Sequence, residues 1–146
     1  LMRFERGGVH VLVDYAHNPE GLAGLLEVAA SLRGEGGRLG VVLGHAGNRG
    51  DREIERLAAT AAQFVPALVV VKELEGYRRG REPGEVPRIL RAALLRAGLP
   101  GEALKMQSTE LDAVRCALEW GRPGDVLALP VHGLAARAAV LALLQA

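Results

Sequence analysis

The stretch Val9-His10-Val11-Leu12-Val13-Asp14-Tyr15-Ala16-His17-Asn18-Pro19-Glu20 decides the fold. Residues 9–13 are mostly apolar, as in a strand, and the apolar residues that follow recur at helical spacing. The polar segment between them, residues 14–19, is called the hexad below and lies at a strand-to-helix junction. Asn18 is a favourable N-cap, and Pro19 suits the first helical turn because its missing N–H costs nothing there.

The position of the hexad makes three of its side chains candidates for a functional site. A residue that leaves the carboxyl end of a parallel strand just before a helix faces the crevice where α/β domains bind ligands, near the positive end of the helix dipole. Asp14, His17 and Asn18 are therefore site candidates. The alternative is that Asn18 and Pro19 only cap the helix and that Asp14 only starts a turn.

Strand-like and helix-like segments alternate along the rest of the chain. Strands are predicted at residues 2–6, 9–13, 38–43, 67–71, 103–106 and 125–129, with helices between them and a last helix at residues 134–144. Gly7 and Gly8 suit a tight hairpin turn, so the first strand should pair antiparallel with the second. The pattern predicts a three-layer, Rossmann-like α/β domain with a mostly parallel six-stranded sheet, one antiparallel edge strand at the N-terminus and helices on both faces.

Composition restricts the class of protein. The 146 residues suit a single domain, and nearly half of them are hydrophobic. The formal net charge is +1 with both signs interspersed, so no nucleic acid or membrane is expected as a partner. The sequence has neither a membrane-span pattern nor a secretory signal, which makes a cytoplasmic location the expectation. The single cysteine, Cys116, is expected to be an inert thiol.

A second strand-to-helix junction is rich in glycine. The segment Gly44-His45-Ala46-Gly47-Asn48-Arg49-Gly50-Asp51 lets the backbone approach a ligand closely, and Arg49 offers a fork of donors for phosphate or carboxylate. The alternative is an ordinary turn with Asp51 as the helix cap. The glycine spacing is not that of a dinucleotide site, and the chain has no P-loop motif, so it should supply only one wall of any nucleotide site.

Further basic side chains follow the third core strand. Lys72 should reach the same end of the sheet, and the next loop carries Arg78, Arg79 and Arg81. Such a cationic rim suits phosphate chemistry or an amino acid's carboxylate, although a solvated basic loop is the alternative. His132 at the last junction could reach the crevice or could be structural. No metal site is expected, because the histidines lack partners at ligand spacing.

The hexad and several later motifs resemble a known family. Val13 with the hexad is similar to the motif that opens the C-terminal domain of the Mur ligase superfamily, which includes the peptidoglycan Mur ligases, folylpolyglutamate synthase and cyanophycin synthetase. Within it, the likeness is greatest to the Mur-like part of cyanophycin synthetase. The resemblance extends in order through Arg3-Phe4, Gly44-x-x-Gly47-Asn48-Arg49, Lys72-Glu73, Arg79-Gly80-Arg81, Gly84-Glu85 and Arg122-Pro123-Gly124-Asp125.

The resemblance implies that residues 1–146 form the C-terminal domain of an ATP-dependent acid–amino acid ligase, with ATP and Mg bound mainly by a central domain that this chain lacks. In that family an acyl phosphate forms, an amine attacks it, and the C-terminal domain closes over the nucleotide. The implied catalytic residues are Asp14, His17 and Asn18, which together with Arg3 would also contact the nucleotide. The implied substrate-binding residues are Arg49, Lys72, Arg78, Arg79 and Arg81.

The chain departs from the family pattern at a few positions. Met2 precedes Arg3 where the family usually has glycine, and Asn48 stands where aspartate is common. The Asp-Asn-Pro-Arg motif of the enzymes that add diaminopimelate is absent, which disfavours that amino acid. The resemblance leaves two classes open: a ligase domain that works with an ATP-binding domain in cis or in trans on an amino acid and a carboxylate acceptor, and a free-standing, non-catalytic module that binds a nucleotide or an amino acid.

Overall fold

A computed structural model describes residues 1–47, 50–74 and 76–146. Within these ranges it contains six strands and five α-helices. The strands are β1 Met2–Arg6, β2 Val9–Asp14, β3 Leu39–Leu43, β4 Leu68–Lys72, β5 Leu104–Gln107 and β6 Val126–Pro130. The helices are α1 Pro19–Leu32, α2 Asp51–Gln63, α3 Glu85–Arg96, α4 Glu110–Trp120 and α5 Leu134–Gln145, and a 3₁₀ turn, Gly101–Ala103, precedes β5.

The strands form one sheet in the order β1-β2-β6-β3-β4-β5. β1 pairs antiparallel with β2, and the remaining pairs are parallel. The hairpin turns at Gly7 and Gly8, whose φ angles of 55° and 81° lie in the left-handed region that glycine adopts without strain. The predicted fold class is therefore confirmed. The lateral order, with β6 inserted between β2 and β3, was not part of the prediction.

Helices cover both faces of the sheet. One apolar cluster joins the sheet to α1, α2 and α3, and a second joins the opposite face to α4 and α5. Side chains alternate between the clusters along each central strand; Val41 and Leu43 belong to the first and Val42 to the second. Burial on both faces explains why these strands are continuous apolar runs. No described helix has the length and apolar character needed to cross a bilayer.

A buried carboxylate fixes the end of the sheet at which the parallel strands begin. Asp125 is 2% exposed and accepts hydrogen bonds from the backbone N–H groups of Arg38 and Arg122 and from the Arg38 guanidinium. That guanidinium also stacks on Trp120, with Cζ 3.9 Å from the ring centroid. Burial alone would raise the pKa of Asp125, but these hydrogen bonds outweigh it and the pKa is lowered. The motif at residues 122–125 thus ties loops together at the end opposite to the hexad.

Candidate functional site at the carboxyl ends of the strands

The loops after four parallel strands meet at one crevice. α1 leaves β2 toward one face of the sheet, and α5 leaves the adjacent β6 toward the other. Their loops consequently diverge, as at the topological switch point where open α/β sheets bind ligands. A cavity of about 180 Å³ opens there, lined by His17, Gly44, His45, Ala46, Leu74, Tyr77 and His132.

The hexad forms one wall of the crevice. Asn18 caps α1 by accepting a hydrogen bond from the Gly21 N–H at 2.7 Å, and Pro19 is in the first turn, as predicted. His17 is exposed; its Nδ1 lies 3.2 Å from the Tyr15 carbonyl oxygen. Asp14 is partly exposed at the end of β2. The capping alternative for Asn18 is thus observed, while His17 remains open to a ligand.

Arg3 lies apart from the cavity, on edge strand β1. It is exposed and is in register with Leu12, near the carboxyl end of β2. The next residue, Phe4, packs against the α4–α5 cluster, so Arg3 points toward the α1 side of the sheet. Its location therefore suits contact with something outside this domain, not with the cavity itself.

The glycine-rich junction packs closely against the arginine loop. The Gly47 N–H donates to the Tyr77 carbonyl oxygen at 2.8 Å, and a Cβ atom at Gly47 would overlap the Arg78 carbonyl. Only glycine fits at this position, because any side chain would collide with the neighbouring backbone. This close approach explains why the junction contains glycine here. Asn48 and Arg49 lie outside the described residues, so the role predicted for Arg49 stays a prediction.

The three arginines of the neighbouring loop have different environments. Arg78 donates to the buried carboxylate of Glu73 at 3.0 Å. Arg81 pairs with Asp51 at 2.9 Å and Glu85 at 2.6 Å, and its pKa is raised by the hydrogen bonds that it donates to those two carboxylates. Arg79 is exposed beside the Tyr77 ring, with Cζ 5.3 Å from the centroid. Arg81 therefore holds the loop in place, whereas Arg79 presents its guanidinium to solvent.

Lys72 reaches the predicted end of the sheet but is fully enclosed, with 0% exposure. Its ammonium donates to Glu110 Oε2 at 2.5 Å and to the Pro130 carbonyl oxygen. The predicted end of the sheet is observed, but the ammonium is not exposed on the cationic rim, because the buried carboxylate holds it beneath the floor of the crevice. A direct substrate contact by Lys72, which is still untested, would require that pair to separate.

Glu110 is a residue that the sequence analysis missed. It is 2% exposed at the start of α4; Oε2 accepts from the His132 N–H at 2.9 Å, and Oε1 accepts from the Gly133 N–H at 2.8 Å. Burial alone would raise its pKa, but the Lys72 charge and these hydrogen bonds lower it. A glutamate in a first helical turn usually indicates only a favourable dipole interaction, so nothing in the sequence around Glu110 indicates this role.

His132 is the second residue that the fold brings to the site. Its Nε2 lies 2.9 Å from the Ala16 carbonyl oxygen, which can only accept, so Nε2 carries the proton. Nδ1 is buried without a hydrogen-bond partner among the described residues. Burial, followed by the Lys72 charge, lowers the pKa of His132 to about 4. The imidazole is therefore neutral at physiological pH.

This pKa predicts an acid-sensitive fold. Between pH 6.5 and pH 4.5 the unfolded chain binds a proton at His132 that the folded chain does not, so stability decreases as the pH falls. We expect the free energy of unfolding to fall by about 2 kcal/mol over this range because of His132. Urea titrations of the wild type and of His132→Gln at several pH values measure the effect. Parallel pH profiles for the two proteins would contradict the prediction.

Comparisons with known proteins agree with the fold. A family model described as Mur ligase, glutamate ligase domain, matches residues 2–129. Cyanophycin synthetase from Synechocystis sp. is 34% identical over 116 residues, covering 80% of this chain and 13% of that protein. A solved UDP-N-acetylmuramoyl-L-alanyl-D-glutamate–2,6-diaminopimelate ligase superposes with a TM-score of 0.70 at 18% identity, covering 97% of this chain and 31% of that one.

A folylpolyglutamate synthase/dihydrofolate synthase from Yersinia pestis superposes with a TM-score of 0.67 at 20% identity, covering 98% of this chain and 30% of that one. The chain thus spans less than a third of each of these proteins. The structural likenesses show the fold, and the family model covers most of the sequence. The chain belongs to the Mur ligase family and corresponds to the glutamate ligase domain of that family.

Proposed function

We propose that this chain is the substrate- and nucleotide-closing domain of an ATP-dependent ligase that joins an acid to an amino acid. The observation that carries the proposal is the convergence of the hexad, the glycine-rich junction and His132 on one crevice. Family membership supplies the chemistry: a carboxylate is phosphorylated by ATP, an amine attacks the acyl phosphate carbon, and phosphate leaves as the amide forms. The amine loses its proton in this step.

The hexad side would face the nucleotide. His17 and the start of α1 offer an imidazole N–H and a positive helix dipole, both suited to phosphate oxygens. Arg3, Asp14 and Asn18 complete this proposed set. Among the described residues no group of three or more potential ligands could hold a metal ion, so Mg would be bound mainly by the ATP-binding domain. The Yersinia pestis relative was solved with AMPPNP and Mn ion.

The arginine loop would face the incoming amino acid. Arg79 presents an exposed guanidinium that can pair with a carboxylate. The adjacent Arg78 donates a hydrogen bond to Glu73. Arg49 and Lys72 belong to the same proposed side, with Arg81 holding the loop against Gly47 at 2.9 Å. Closure of these groups over the reacting atoms would stabilise the charge of the tetrahedral intermediate and exclude water.

Only the similarity to known ligases indicates which amino acid this enzyme would add. If the similarity to cyanophycin synthetase extends to substrate, arginine is the amino acid added. Diaminopimelate is disfavoured, because the chain contains no Asp-Asn-Pro-Arg motif. A cytoplasmic location fits a ligase that consumes ATP, and it is proposed on that ground.

A free-standing binding module is the second candidate. The enclosed Lys72 ammonium favours it, since a buried pair can serve packing without catalysis. The coding sequence next to this segment separates the two: a P-loop domain in the same or an adjacent reading frame supports the ligase, and the absence of one from both supports the module.

The purified chain alone is expected to show no ATP-dependent ligation, because it contains no P-loop motif. The same chain within a protein that also carries the ATP-binding domain should release phosphate only when an acceptor and an amino acid are both present. A coupled phosphate assay with a panel of amino acids, arginine and diaminopimelate included, measures both. Turnover by the isolated chain, or no turnover with the ATP-binding domain present, would contradict the proposal.

A further inference from the structure

We propose that Glu110 is a positioning residue that couples the hexad side of the crevice to the arginine-loop side, acting through His132 and Lys72. The inference rests on the proposed function for its kinetic consequence, whereas its structural part concerns this chain alone. Glu110 lies 22 residues from His132 and 38 residues from Lys72 along the sequence, so only the fold unites them.

The carboxylate of Glu110 is not needed to cap its own helix. Thr109 does this, since its hydroxyl accepts a hydrogen bond from the Asp112 N–H at 3.1 Å. Both carboxylate oxygens of Glu110 instead point away from α4 and accept hydrogen bonds from backbone N–H groups of the loop between β6 and α5. A Cβ atom at Gly133 would lie 3.2 Å from Oε1, so this loop approaches the carboxylate closely. A buried carboxylate is costly, and here its oxygens serve another element.

One arm of the network leads to the hexad. Glu110 fixes the backbone of His132, and the His132 ring donates to the Ala16 carbonyl, adjacent to His17. The Val131 N–H also donates to the Asp14 carbonyl oxygen at 2.9 Å. Displacement of the β6–α5 loop would therefore move the peptide that carries the nucleotide-facing side chains.

The other arm leads to the glycine-rich junction and the arginine loop. Glu110 holds the Lys72 ammonium, and the Lys72 stem packs so closely on Gly44 that a Cβ there would lie 2.8 Å from Cγ. The residue after Lys72, Glu73, accepts from Arg78 and from the Gly84 N–H, each at 3.0 Å. One carboxylate thus sets the positions of loops on both sides of the cavity.

The first test uses the chain itself. In the wild type, ¹⁵N spectra of the imidazole should show His132 as a fixed Nε2–H tautomer. Glu110→Gln removes the charge and one acceptor, so the His132 signals should move toward the average values of a mobile neutral histidine. Glu119→Gln, at an exposed position on the same helix, is the matched control and should leave them in place. Unchanged His132 signals in Glu110→Gln would overturn the proposal.

The second test uses the full ligase. Glu110→Gln should lower kcat on the order of 10-fold to 100-fold, the scale of a small misplacement of reacting groups, while Glu119→Gln should match the wild type. Wild-type kcat in Glu110→Gln would overturn the coupling even if the tautomer changes.

If Glu110→Gln does not fold, Glu110→Asp, which keeps the charge but shortens the reach to Gly133, should give the same two effects and is judged identically. An inactive wild-type ligase would refute the proposed function and leave the spectroscopic test to decide the positioning role.

Discussion

Lys72→Met is expected to lower the free energy of unfolding by about 3–5 kcal/mol, the range for removing one partner of a buried ion pair. The substitution leaves the Glu110 carboxylate, which is 2% exposed, without its cation. Domains of this kind are stable by only about 5–15 kcal/mol, so the loss is a large fraction of the total. Urea unfolding followed by circular dichroism measures it.

Two further variants separate the charge effect from packing. The double variant Lys72→Met/Glu110→Gln removes both charges and should recover much of the stability that Lys72→Met loses, because a neutral pair needs no counter-ion. Lys105→Met removes the exposed lysine of β5 and should change stability by less than about 0.5 kcal/mol. A Lys72→Met protein as stable as Lys105→Met would show that the buried pair contributes little.

His17→Ala in the full ligase is expected to lower kcat by about 10²-fold, the usual scale for the loss of a preorganised charge stabiliser. The reason is position: His17 is the exposed histidine of the hexad and lines the cavity. Arg49→Ala, at a position outside the described residues, is expected to have an effect of the same size. Steady-state kinetics with saturating ATP and amino acid measure both.

His10→Ala is the matched control for His17→Ala. His10 lies on β2 in register with Val126, at the end of the sheet away from the crevice. The same substitution there should leave kcat within about two-fold of the wild type, since surface changes far from the reacting groups are usually small. If His17→Ala also retained the wild-type kcat, the hexad would be left with its helix-capping role alone.

Local signals in the sequence were sufficient to predict the helices and strands and the residues at which they begin and end. The alternation of apolar runs predicted every strand to within about two residues, and Gly7 and Gly8 predicted the hairpin. Asn18 and Pro19 predicted the start of α1 because capping depends on residues only three positions apart. The same locality identified the hexad as a strand-to-helix junction, and thereby His17 as a site candidate.

Such local signals did not predict which residues pair with the buried charged side chains. The sequence predicted that Lys72, the last residue of β4, reaches the cationic rim; the structure encloses its ammonium beneath the crevice, where it pairs with a carboxylate 38 residues away. Glu110 itself has the sequence context of an ordinary first-turn glutamate. Periodicity records which face a residue occupies, but it carries no information on which distant charge it meets.

The sequence by itself determined that this chain is an α/β domain of the Mur ligase type, with the hexad at the carboxyl end of β2. Only the tertiary structure decided that β6 lies between β2 and β3, which brings His132 to Ala16 across 116 residues of sequence. The physical reason is that strand formation depends on local apolar patterning, whereas lateral strand order depends on how helices of both layers pack together.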